Sequence, residues 1–311
     1  MNFLNLYYFS IAAEELNFTK AAKRLFISQQ SLSNHISRLE SEFGVVLFNR
    51  TQPVTLTDAG ETLYRRSQNL LDEKKQLETA MQDLRDFRKG ELTIGISTSR
   101  GAVMLPDILP EFHTLFPQID LKLVEGTTLE INRALYEGRA DLRIGFAMDD
   151  PDQVHEELLH TEHLVCAVPN SFLKKYLAPD KPYPYPGTMQ DFRLFADCPF
   201  IKMQHNVWLG EMFEKCCRHY QVEPSVVLET SSMSTLVSLC SVGLGAIVLP
   251  EIFATRVSFF MTPYDWKSSV SVFPLDFPAG TQSITVSYLK GHYLNRAAAE
   301  FIRMACKKFT Y

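Results

Sequence analysis

The chain has 311 residues, of which 46% are hydrophobic and 22% are charged, and its formal net charge is −5. This composition excludes a largely disordered chain, and the acidic balance excludes a protein that coats nucleic acid with its whole surface. No apolar run reaches the ~18–20 residues that span a bilayer, and the N-terminal segment lacks the basic start of a signal peptide. We therefore expect about two or three domains in the cytoplasm, with no membrane partner.

The six cysteines form no CxxC pair, and cytoplasmic thiols stay reduced, so we expect most of them to be small buried apolar residues. Two other roles stay open from the sequence. Cys198 could form a redox switch with Cys216 or Cys217. A metal could bind two cysteines and two histidines, namely Cys198, His205, Cys216 and His219. The ten residues between His205 and Cys216 match no common zinc spacing, so we predict no metal site.

Residues 1–57 form a slightly basic segment that is predicted to contain short helices. They hold five basic and four acidic side chains, so the rest of the chain carries a net charge of −6. Apolar residues at helical spacing, among them Phe3, Leu6 and Tyr7, predict a first helix. Thr19 is predicted to cap a second helix over Lys20–Phe26, because a threonine hydroxyl can accept a free backbone N–H at a helix start.

A third helix is predicted to begin after Ser28 and to have two different faces. Leu32, Ile36 and Leu39 recur at steps of four and three and predict the buried face, and Gly44 is expected to end the helix. Its start carries short hydroxyl and amide side chains, namely Ser28, Gln29, Gln30, Ser33 and Asn34. Such side chains can read base edges in the major groove, although a solvated polar helix face alone would have the same composition.

Two short β-prone segments, Val45–Phe48 and Val54–Leu56, follow the third helix on either side of Gln52-Pro53. Their spacing predicts a small hairpin, or wing. Helix caps, turn and wing together favour a winged helix-turn-helix that binds double-stranded DNA over a merely solvated helix.

A long helix is predicted after the wing, with Thr57 as its N-cap and no proline or glycine over Glu61–Lys89. Leucines recur in it every seven residues, at Leu63, Leu70, Leu77 and Leu84. A helix with such a narrow apolar seam needs a partner helix in water. Packing on its own chain would also cover the seam, but the many flanking charges favour pairing with a second copy of the chain.

Residues 91–311 alternate strand-like and helix-like segments, which is typical of a parallel α/β sheet. The predicted strands are Leu92–Ile96, Ile119–Val124 and Leu142–Phe146, and helices are expected after Gly101 and over Leu129–Tyr136. The length allows two lobes, lobe I over residues 91–163 and 265–311 and lobe II over residues 164–264. The predicted domains are a DNA-binding head (1–58), a linker helix for dimerisation (59–90) and a two-lobed body (91–311).

The segment Phe18–Gly60 resembles the DNA-binding head of the LysR-type transcriptional regulators. The matching elements are Phe18-Thr19, Ala21-Ala22, Leu25, Ser28-Gln29, Leu32-Ser33, Ile36, Leu39-Glu40, Gly44, Leu47-Phe48, Arg50 and Leu56-Thr57. In the body, Val237–Pro250 resembles the glycine turn that enters a strand of the family's second lobe. Two positions depart from the family pattern. Gln30 stands where proline is usual, and the wing tip Thr51-Gln52-Pro53 lacks the arginine often found there, so insertion of the wing into the minor groove is not predicted.

The resemblance implies a multidomain fold. An all-α winged helix-turn-helix head with a long linker helix is followed by an α/β two-lobed effector-binding domain that resembles type 2 periplasmic binding proteins. It also implies homodimers that pair into homotetramers and can bend DNA. We predict DNA contacts by Thr19, Ser28, Gln29, Gln30, Ser33, Asn34, Arg38 and Arg50. Arg50 is expected to meet a phosphate, which adds salt-sensitive affinity without sequence information.

Polar residues follow the predicted strands of the body and mark a candidate effector cleft, where helix starts favour anions. In lobe I they are Ser97, Thr98, Ser99, Arg100, Thr127 and Thr128, of which Ser99 and Thr128 match the family's cleft positions, and in lobe II they are Gln204, His205, Ser231 and Ile247. Helix capping alone would explain either pair of hydroxyl residues in lobe I. Arg100 suggests an anionic effector. Arg143, within an apolar strand, would need a carboxylate partner if buried.

Two other classes of protein fit the sequence less well. An enzyme is not expected, since the chain has no GxSxG, P-loop lysine or HExxH motif, and no catalytic residue or cofactor is predicted. A solute-binding or carrier protein would have the architecture of the body but no need of residues 1–90. We therefore expect a transcriptional regulator in which effector binding changes lobe closure, dimer geometry and hence the spacing of the heads on DNA.

Overall fold

Three helices and a two-stranded wing form the head because their apolar faces enclose one core. The computed structural model describes residues 2–51, 53–85, 89–177, 184–256 and 266–309. The head contains α1 (Phe3–Glu15), α2 (Phe18–Arg24), α3 (Gln29–Phe43), β1 (Phe48–Asn49) and β2 (Thr55–Leu56). Strands β1 and β2 pair antiparallel, which confirms the predicted wing. The core includes the buried Phe9, Ala12, Ala22, Leu32, Ile36, Leu39 and Phe48.

The caps of the head helices agree with the prediction at α3 and differ from it at α2. Ser28 Oγ accepts a backbone N–H three residues on at 3.1 Å, and Gly44 ends α3 with a left-handed φ of 67°. The predicted cap at Thr19 is wrong. Asn17 has an extended backbone and its side-chain oxygen accepts a backbone N–H at 3.0 Å, so α2 begins one residue after Asn17 and Thr19 lies inside the first turn.

The first strand of the wing is shorter than predicted, since β1 begins at Phe48 rather than at Val45. The Val45 N–H donates to the Glu40 carbonyl at 3.1 Å, and the Leu47 N–H donates to the Glu40 carboxylate at 2.9 Å. These two bonds tie the segment after α3 back to the helix. Its contacts with the second half of the wing come just after β2, where the Thr57 N–H donates to the Leu47 carbonyl at 3.1 Å and the Thr57 hydroxyl donates to the Val46 carbonyl at 2.7 Å.

The long helix α4 spans Asp58–Arg85, and its first turns pack against the head. Thr57 Oγ1 accepts the Gly60 N–H at 3.0 Å, which confirms the predicted cap. Gly60 lies very close to the wing, because a Cβ built there would lie 2.1 Å from the Leu47 carbonyl oxygen. The predicted extension of the helix to Lys89 is wrong, since Lys89 already pairs with a neighbouring strand of the body.

The body alternates strands and helices as predicted. In chain order its elements are β3 (Lys89–Ile96), α5 (Thr98–Leu115), β4 (Gln118–Glu125), α6 (Thr128–Tyr136), β5 (Leu142–Phe146), β6 (Val154–Glu162), β7 (Leu164–Pro169), α7 (Asn170–Tyr176), β8 (Phe200–Met203), α8 (Trp208–Tyr220), β9 (Val226–Thr230), α9 (Met233–Ser241), β10 (Ile247–Pro250), α10 (Glu251–Thr255), α11 (Trp266–Ser269), β11 (Val270–Pro274), β12 (Gln282–Leu289) and α12 (Arg296–Phe309). Within the described ranges, no helix combines the length and the apolar character that crossing a membrane requires.

Lobe I is built on a five-stranded sheet in the order β4-β3-β5-β12-β6. Strand β3 is parallel to β4 and β5, whereas β12 is antiparallel to β5 and β6. The sheet is therefore mixed and not wholly parallel as predicted. The reason is that the chain returns from lobe II and enters this sheet from the opposite direction.

Lobe II combines an antiparallel sheet, β10-β7-β11, with a parallel pair, β8-β9. Ala246, just before β10, bridges in parallel to Phe200 of β8 and so joins the two groups. The chain passes from lobe I to lobe II between Glu162 and Leu164. The expected return near residue 265 is corrected to the segment after Pro274, because β11 pairs with β7 in lobe II and the next strand, β12, pairs in lobe I.

Candidate functional site

Helix α3 buries one face and presents the other to solvent. Leu32, Ile36 and Leu39 are fully buried in the head core, so the opposite side of the helix points away from the core. Of the predicted contact residues on α3 and its cap, Ser33 is half-buried and the others are exposed, namely Ser28, Gln29, Gln30, Asn34 and Arg38. Asn34 and Arg38 also line a shallow depression on this helix. The predicted residues of α3 therefore share an accessible surface.

One side-chain hydrogen bond links the start of α2 to the start of α3. Thr19 Oγ1 donates to Gln29 Oε1 at 3.0 Å, and both residues are exposed. Because the amide oxygen accepts this bond, the Gln29 NH₂ group points its two donors elsewhere. Thr19 thus orients Gln29, a role that sequence reasoning missed because ten residues separate the two side chains.

Arg50, just after the first strand of the wing, is held by an ion pair. Its Nη2 lies 3.0 Å from Glu40 Oε2, and its guanidinium carbon lies 5.8 Å from the centre of the Phe18 ring. The side chain stays exposed and so can reach a phosphate, but Glu40 offsets part of its charge. The sequence did not reveal this pair, in which an acidic residue of α3 orients a basic residue of the wing.

Helices α1 and α4 pack together, and both leave large apolar side chains exposed. Gln68 Nε2 donates to Ser10 Oγ at 2.7 Å and joins the two helices. The exposed apolar side chains are Phe3, Leu4 and Tyr7 on α1 and Leu70, Leu77 and Met81 on α4. Of the other predicted seam residues, Leu63 packs on the head core, and the side chain of Leu84 lies outside the described residues.

In lobe I, two helix starts lie side by side at one edge of the sheet. Strands β3 and β4 are parallel neighbours whose last residues lie opposite each other, so Ser97 and Thr127 follow at the same edge. Helix α5 begins at Thr98 and not after Gly101 as predicted, because the Gly101 N–H already bonds to the Ser97 carbonyl at 2.8 Å. Ser97 and Ser99 are half-buried there, and Thr98 is exposed.

The two helix starts are capped differently. Thr127 and Glu130 form a capping box, in which the Thr127 hydroxyl accepts the Glu130 N–H at 3.3 Å and the Glu130 carboxylate accepts the Thr127 N–H at 2.8 Å. These backbone and side-chain hydrogen bonds lower the pKa of Glu130. Ser97 occupies the cap position of α5, but its side chain makes no capping hydrogen bond. Capping therefore accounts for Thr127, and it does not account for Ser97 or the exposed Thr128.

In lobe II, the ends of β8 and β9 bring Gln204 and Ser231 to one edge. The Gln204 N–H donates to the Thr230 carbonyl at 3.0 Å, and both Gln204 and Ser231 are exposed. His205 is also exposed, and its Nδ1 lies 3.0 Å from Glu214 Oε2. Three of the four residues predicted for lobe II thus lie at the end of the parallel strand pair.

Ile247, the fourth, is not brought to this edge. It is the first residue of β10 and is fully buried, whereas the end of β10 nearest lobe I is Pro250, which pairs with Leu164 at the crossing between the lobes. The glycine turn before Ile247 did predict a strand, but the pattern does not tell which end of that strand faces the cleft.

Arg100 does not project into the cleft as an unpaired cation. It is 4% exposed, and its two terminal nitrogens bind the two carboxylate oxygens of Glu162 at 2.5 and 3.0 Å. Its guanidinium carbon lies 5.6 Å from the Phe146 ring of lobe I and 5.7 Å from the Phe253 ring of lobe II. Burial alone would raise the pKa of Glu162, but the charge of Arg100 and hydrogen bonds from His160 and Arg100 lower this pKa to about 2.

Arg143 is 1% exposed, and it reaches its carboxylate partner through a hydroxyl. Its Nη1 donates to Ser287 Oγ at 3.3 Å, and Ser287 Oγ in turn donates to Glu156 Oε1 at 2.9 Å. Burial lowers the pKa of Arg143 to about 10, and the charge of Glu156 opposes this shift. The expected carboxylate therefore exists, but one hydroxyl group separates it from the guanidinium.

Contacts between side chains join the two lobes directly. Phe146, at the end of β5, lies 4.6 Å from Trp208 of α8 between ring centres. Arg256, just after α10, donates to the Val103 carbonyl at 3.2 Å and pairs with Asp107 of α5. The sequence did not predict these contacts between the lobes. The one signal for them was the aromatic Phe146 at the end of a strand, because a strand end lies at the edge of its sheet.

The cysteines are free thiols in apolar surroundings. Burial raises the pKa of Cys198 and of Cys216 to about 12 and that of Cys217 to about 11, which disfavours the reactive thiolate form. Across the described residues, no group of three or more His, Cys, Asp or Glu side chains is arranged to hold a metal ion.

Two family models match the chain over most of its length. Residues 3–61 match the model described as bacterial regulatory helix-turn-helix protein, lysR family, and residues 85–309 match the LysR substrate binding domain. The regulator AlsR of Bacillus subtilis is 32% identical over 260 residues, which cover 81% of each chain. CatR of Pseudomonas putida is 29% identical over 255 residues, which cover 80% of this chain and 83% of CatR.

Solved structures show the same fold over the full length. A full-length OxyR variant from Pseudomonas aeruginosa has a TM-score of 0.70 at 22% identity and covers 99% of this chain and 94% of its own. Full-length CbnR in complex with its target DNA has a TM-score of 0.63 at 20% identity and covers 99% of both chains. With family models matched over both its head and its two-lobed body, this chain belongs to the LysR family and is a DNA-binding transcriptional regulator with an effector-binding domain.

Proposed function

We propose that this regulator binds DNA as a homodimer or homotetramer, reads paired half-sites through the starts of its α3 helices, and changes the geometry of the DNA when an effector binds. The observation that carries the proposal is the exposed polar start of α3, held by the Ser28 cap and by the buried face behind it. On this proposal the protein works in the cytoplasm, where its DNA lies, and it catalyses no reaction.

The predicted DNA contacts divide by chemistry. The amide side chains bind base edges, because Gln and Asn can form two hydrogen bonds to adenine; they are Gln29, Gln30 and Asn34. The hydroxyl and cationic side chains bind phosphates and sugars and fix the position of the head; they are Thr19, Ser28, Ser33, Arg38 and Arg50. The hydrogen bond from Thr19 to Gln29 supports this division, since it directs the amide donors of Gln29 away from α2.

The exposed apolar side chains of α1 and α4 support a homodimer. Six large apolar side chains are exposed on two helices that pack together, and a concentration of exposed apolar residues is typical of an interaction surface. A second copy of the same helices would cover this surface. The dimer also compensates for the weak charge of one head, because two linked heads add their phosphate contacts to one binding event.

The effector is proposed to bind between the carboxyl edges of the two lobes. Ser97, Thr98, Ser99 and Thr128 face it from lobe I beside Thr127, and Gln204, His205 and Ser231 face it from lobe II. An anionic effector is supported by the start of α5, whose backbone N–H groups receive no bond from the Ser97 hydroxyl. Arg100 and Ile247 are not part of this proposal, because Arg100 is paired with Glu162 and Ile247 is buried.

Selection of DNA duplexes from a random pool by the full-length protein tests the proposed sequence-specific recognition of paired half-sites. We expect enrichment of a sequence with two related half-sites, and loss of most specific binding in mobility-shift assays of Gln29→Ala and Asn34→Ala. Gln118→Ala, an exposed glutamine on β4, is the matched control and is expected to bind like the wild type. No enrichment of any sequence, or equal binding by all variants, would contradict the proposal.

A thermal-shift screen of small carboxylates, amino acids and aromatic acids tests the effector site on the full chain. A ligand at 100 times its Kd stabilises the folded state by about 2.7 kcal/mol. We expect Ser99→Ala and Thr128→Val to lose the rise in Tm that the wild type shows with the best ligand. A rise that both variants retain in full would place the effector elsewhere.

A further inference from the structure

Two pairs of side chains, each made of one acidic and one basic residue, hold the linker helix α4 against lobe I, and they lie one helical turn apart on α4. Asp72 Oδ2 lies 3.3 Å from Nδ1 of His292, in the segment between β12 and α12. Lys75 Nζ lies 3.8 Å from Asp141 Oδ1, and the other oxygen of Asp141 accepts the Thr93 N–H at 2.7 Å. Helix α4 is therefore joined to lobe I at a defined position, just over one turn beyond the hydrogen bond of Gln68 with Ser10 in the head.

The Asp72 carboxylate lies directly on Gly138, just after α6. A Cβ built on Gly138 would lie 2.3 Å from Asp72 Oδ1 and 2.6 Å from its Cγ, so a side chain at this position fits only if the Asp72 side chain moves from its place on lobe I. Gly138 also has a left-handed φ of 65°, which an L side chain rarely adopts. Asp72 is 16% exposed at its side chain, so this carboxylate is mostly enclosed by lobe I.

Two clefts that open to the surface, of about 40 and 340 Å³, adjoin this contact, and both are lined by Asp72 and His292. Side chains that line an open cleft have fewer packing neighbours on that side. The close contact of Asp72 with Gly138 therefore limits rotation of α4 on lobe I more than the cleft-lined surface around it does.

Helix α6 connects this contact to the proposed effector edge. It begins at Thr128 and ends at Tyr136, two residues before Gly138. At ~1.5 Å per residue the helix is ~14 Å long and moves as one element. A displacement at Thr128 thus reaches Gly138 without any change inside the helix.

We propose that Asp72 is a positioning residue, which fixes the direction of α4, and with it the DNA-binding head, relative to lobe I. Through α6 it receives the movement that an effector causes at Thr128 and passes it to the linker helix. The second statement rests on the proposed function, whereas the first concerns the free protein and can be measured without DNA or effector.

Small-angle X-ray scattering of the full-length protein compares two glycine variants. Gly138→Ala places a methyl group against Asp72, and Gly187→Ala is the control, because its φ of 81° gives similar strain and nothing lies within 4 Å of its Cβ. We expect a changed scattering profile and radius of gyration for Gly138→Ala and an unchanged profile for Gly187→Ala. Superimposable profiles for both variants and the wild type would overturn the proposal.

A second pair of variants tests the proposal even if Gly138→Ala does not fold. Asp72→Ala removes the positioning carboxylate, and Glu73→Ala removes the same charge from the next, exposed residue. We expect the two variants to have similar Tm values, and only Asp72→Ala to change the scattering profile. The double variant Gly138→Ala with Asp72→Ala is expected to regain the part of the lost stability that the clash with the carboxylate causes, and to keep the cost of the left-handed φ. Equal profiles for Asp72→Ala and Glu73→Ala would reject Asp72 as the positioning residue, whatever the outcome of the DNA and effector tests.

Discussion

Arg100 and Glu162 form a two-point ion pair at the junction of the lobes, although 62 residues separate them in the chain. Arg100 belongs to the first turn of α5, and Glu162 is the last residue of β6 before the chain enters lobe II. Both are 4% exposed, and the cation also lies between an aromatic ring of each lobe. The arginine that suggested an anionic effector therefore binds the protein's own carboxylate and ties lobe I to the crossing segment.

Removal of this cation is expected to destabilise the fold strongly. Arg100→Met keeps an apolar stem but leaves the Glu162 charge buried without its partner, which costs about 3–5 kcal/mol. Urea unfolding of the full chain measures the loss. Arg133→Met is the control, because Arg133 pairs with Glu137 on an exposed face, where solvent screens an ion pair and its contribution to stability is small. Similar losses for both variants would show that burial does not make the Arg100 pair important.

The same pair predicts how stability depends on pH. The pKa of Glu162 in the fold is about 2, below the value of about 4.3 for an unfolded glutamate, so the unfolded chain binds its proton first as pH falls. The stabilisation is therefore fully present above the unfolded pKa and is lost as pH falls towards about 2. We expect unfolding free energies measured at pH 6, 4 and 3 to fall less steeply for Glu162→Gln than for the wild type. Parallel curves would contradict this assignment.

Gly60 is expected to tolerate no side chain, although alanine is the better helix former. A Cβ at Gly60 would lie 2.1 Å from the Leu47 carbonyl oxygen, and such overpacking costs about 1–3 kcal/mol. Gly101→Ala, also near a helix start, has no contact closer than 3.4 Å and is expected to be neutral or to stabilise by about 0.4–1 kcal/mol. Thermal unfolding compares the two. A Gly60→Ala variant as stable as Gly101→Ala would show that the wing and α4 can separate without cost.

Base-reading and phosphate-binding residues are expected to differ in salt dependence. Gln29→Ala removes a base contact, so it relaxes specificity at one position of the half-site by about 1–3 kcal/mol and leaves the salt slope unchanged. Arg38→Ala weakens binding to all sequences alike and lowers the salt slope by about 1. Titrations of selected and scrambled duplexes at several salt concentrations separate the two effects. A salt slope that falls in Gln29→Ala and not in Arg38→Ala would reverse the assignment.

The sequence predicted the elements whose determinants are local. Ser28 and Gly44 delimit α3 because a cap and a left-handed C-terminus act within one turn. The strand Leu142–Phe146 was predicted at its true bounds from its apolar run. The error at Thr19 was also local, since Asn17 is an equally good capping residue two positions earlier and the pattern did not rank them.

The determinants that sequence reasoning missed are contacts between distant segments. The pairing of β12 between β5 and β6 is set by the chain's return from lobe II, which has no local signature. Likewise, the sequence shows Arg100 and Asp72 as ordinary charged residues. Arg100 finds its partner Glu162, and Asp72 its partner His292, only once the chain is folded. The structure brings Ser97 and Thr127 to one edge of lobe I, and Gln204 and Ser231 to one edge of lobe II, because these residues follow the ends of neighbouring parallel strands. That position is readable from alternation alone.

The close approach of Gly60 to the wing and the hydrogen bond from Gln68 to Ser10 make the first turns of α4 a rigid part of the head. Asp72, which contacts His292 and Gly138 of lobe I, lies just over one turn beyond Gln68. Helix α4 is continuous between Gln68 and Asp72. A tilt of α4 that lobe I imposes at Asp72 therefore also tilts the head, and with it the exposed face of α3, as a lever would.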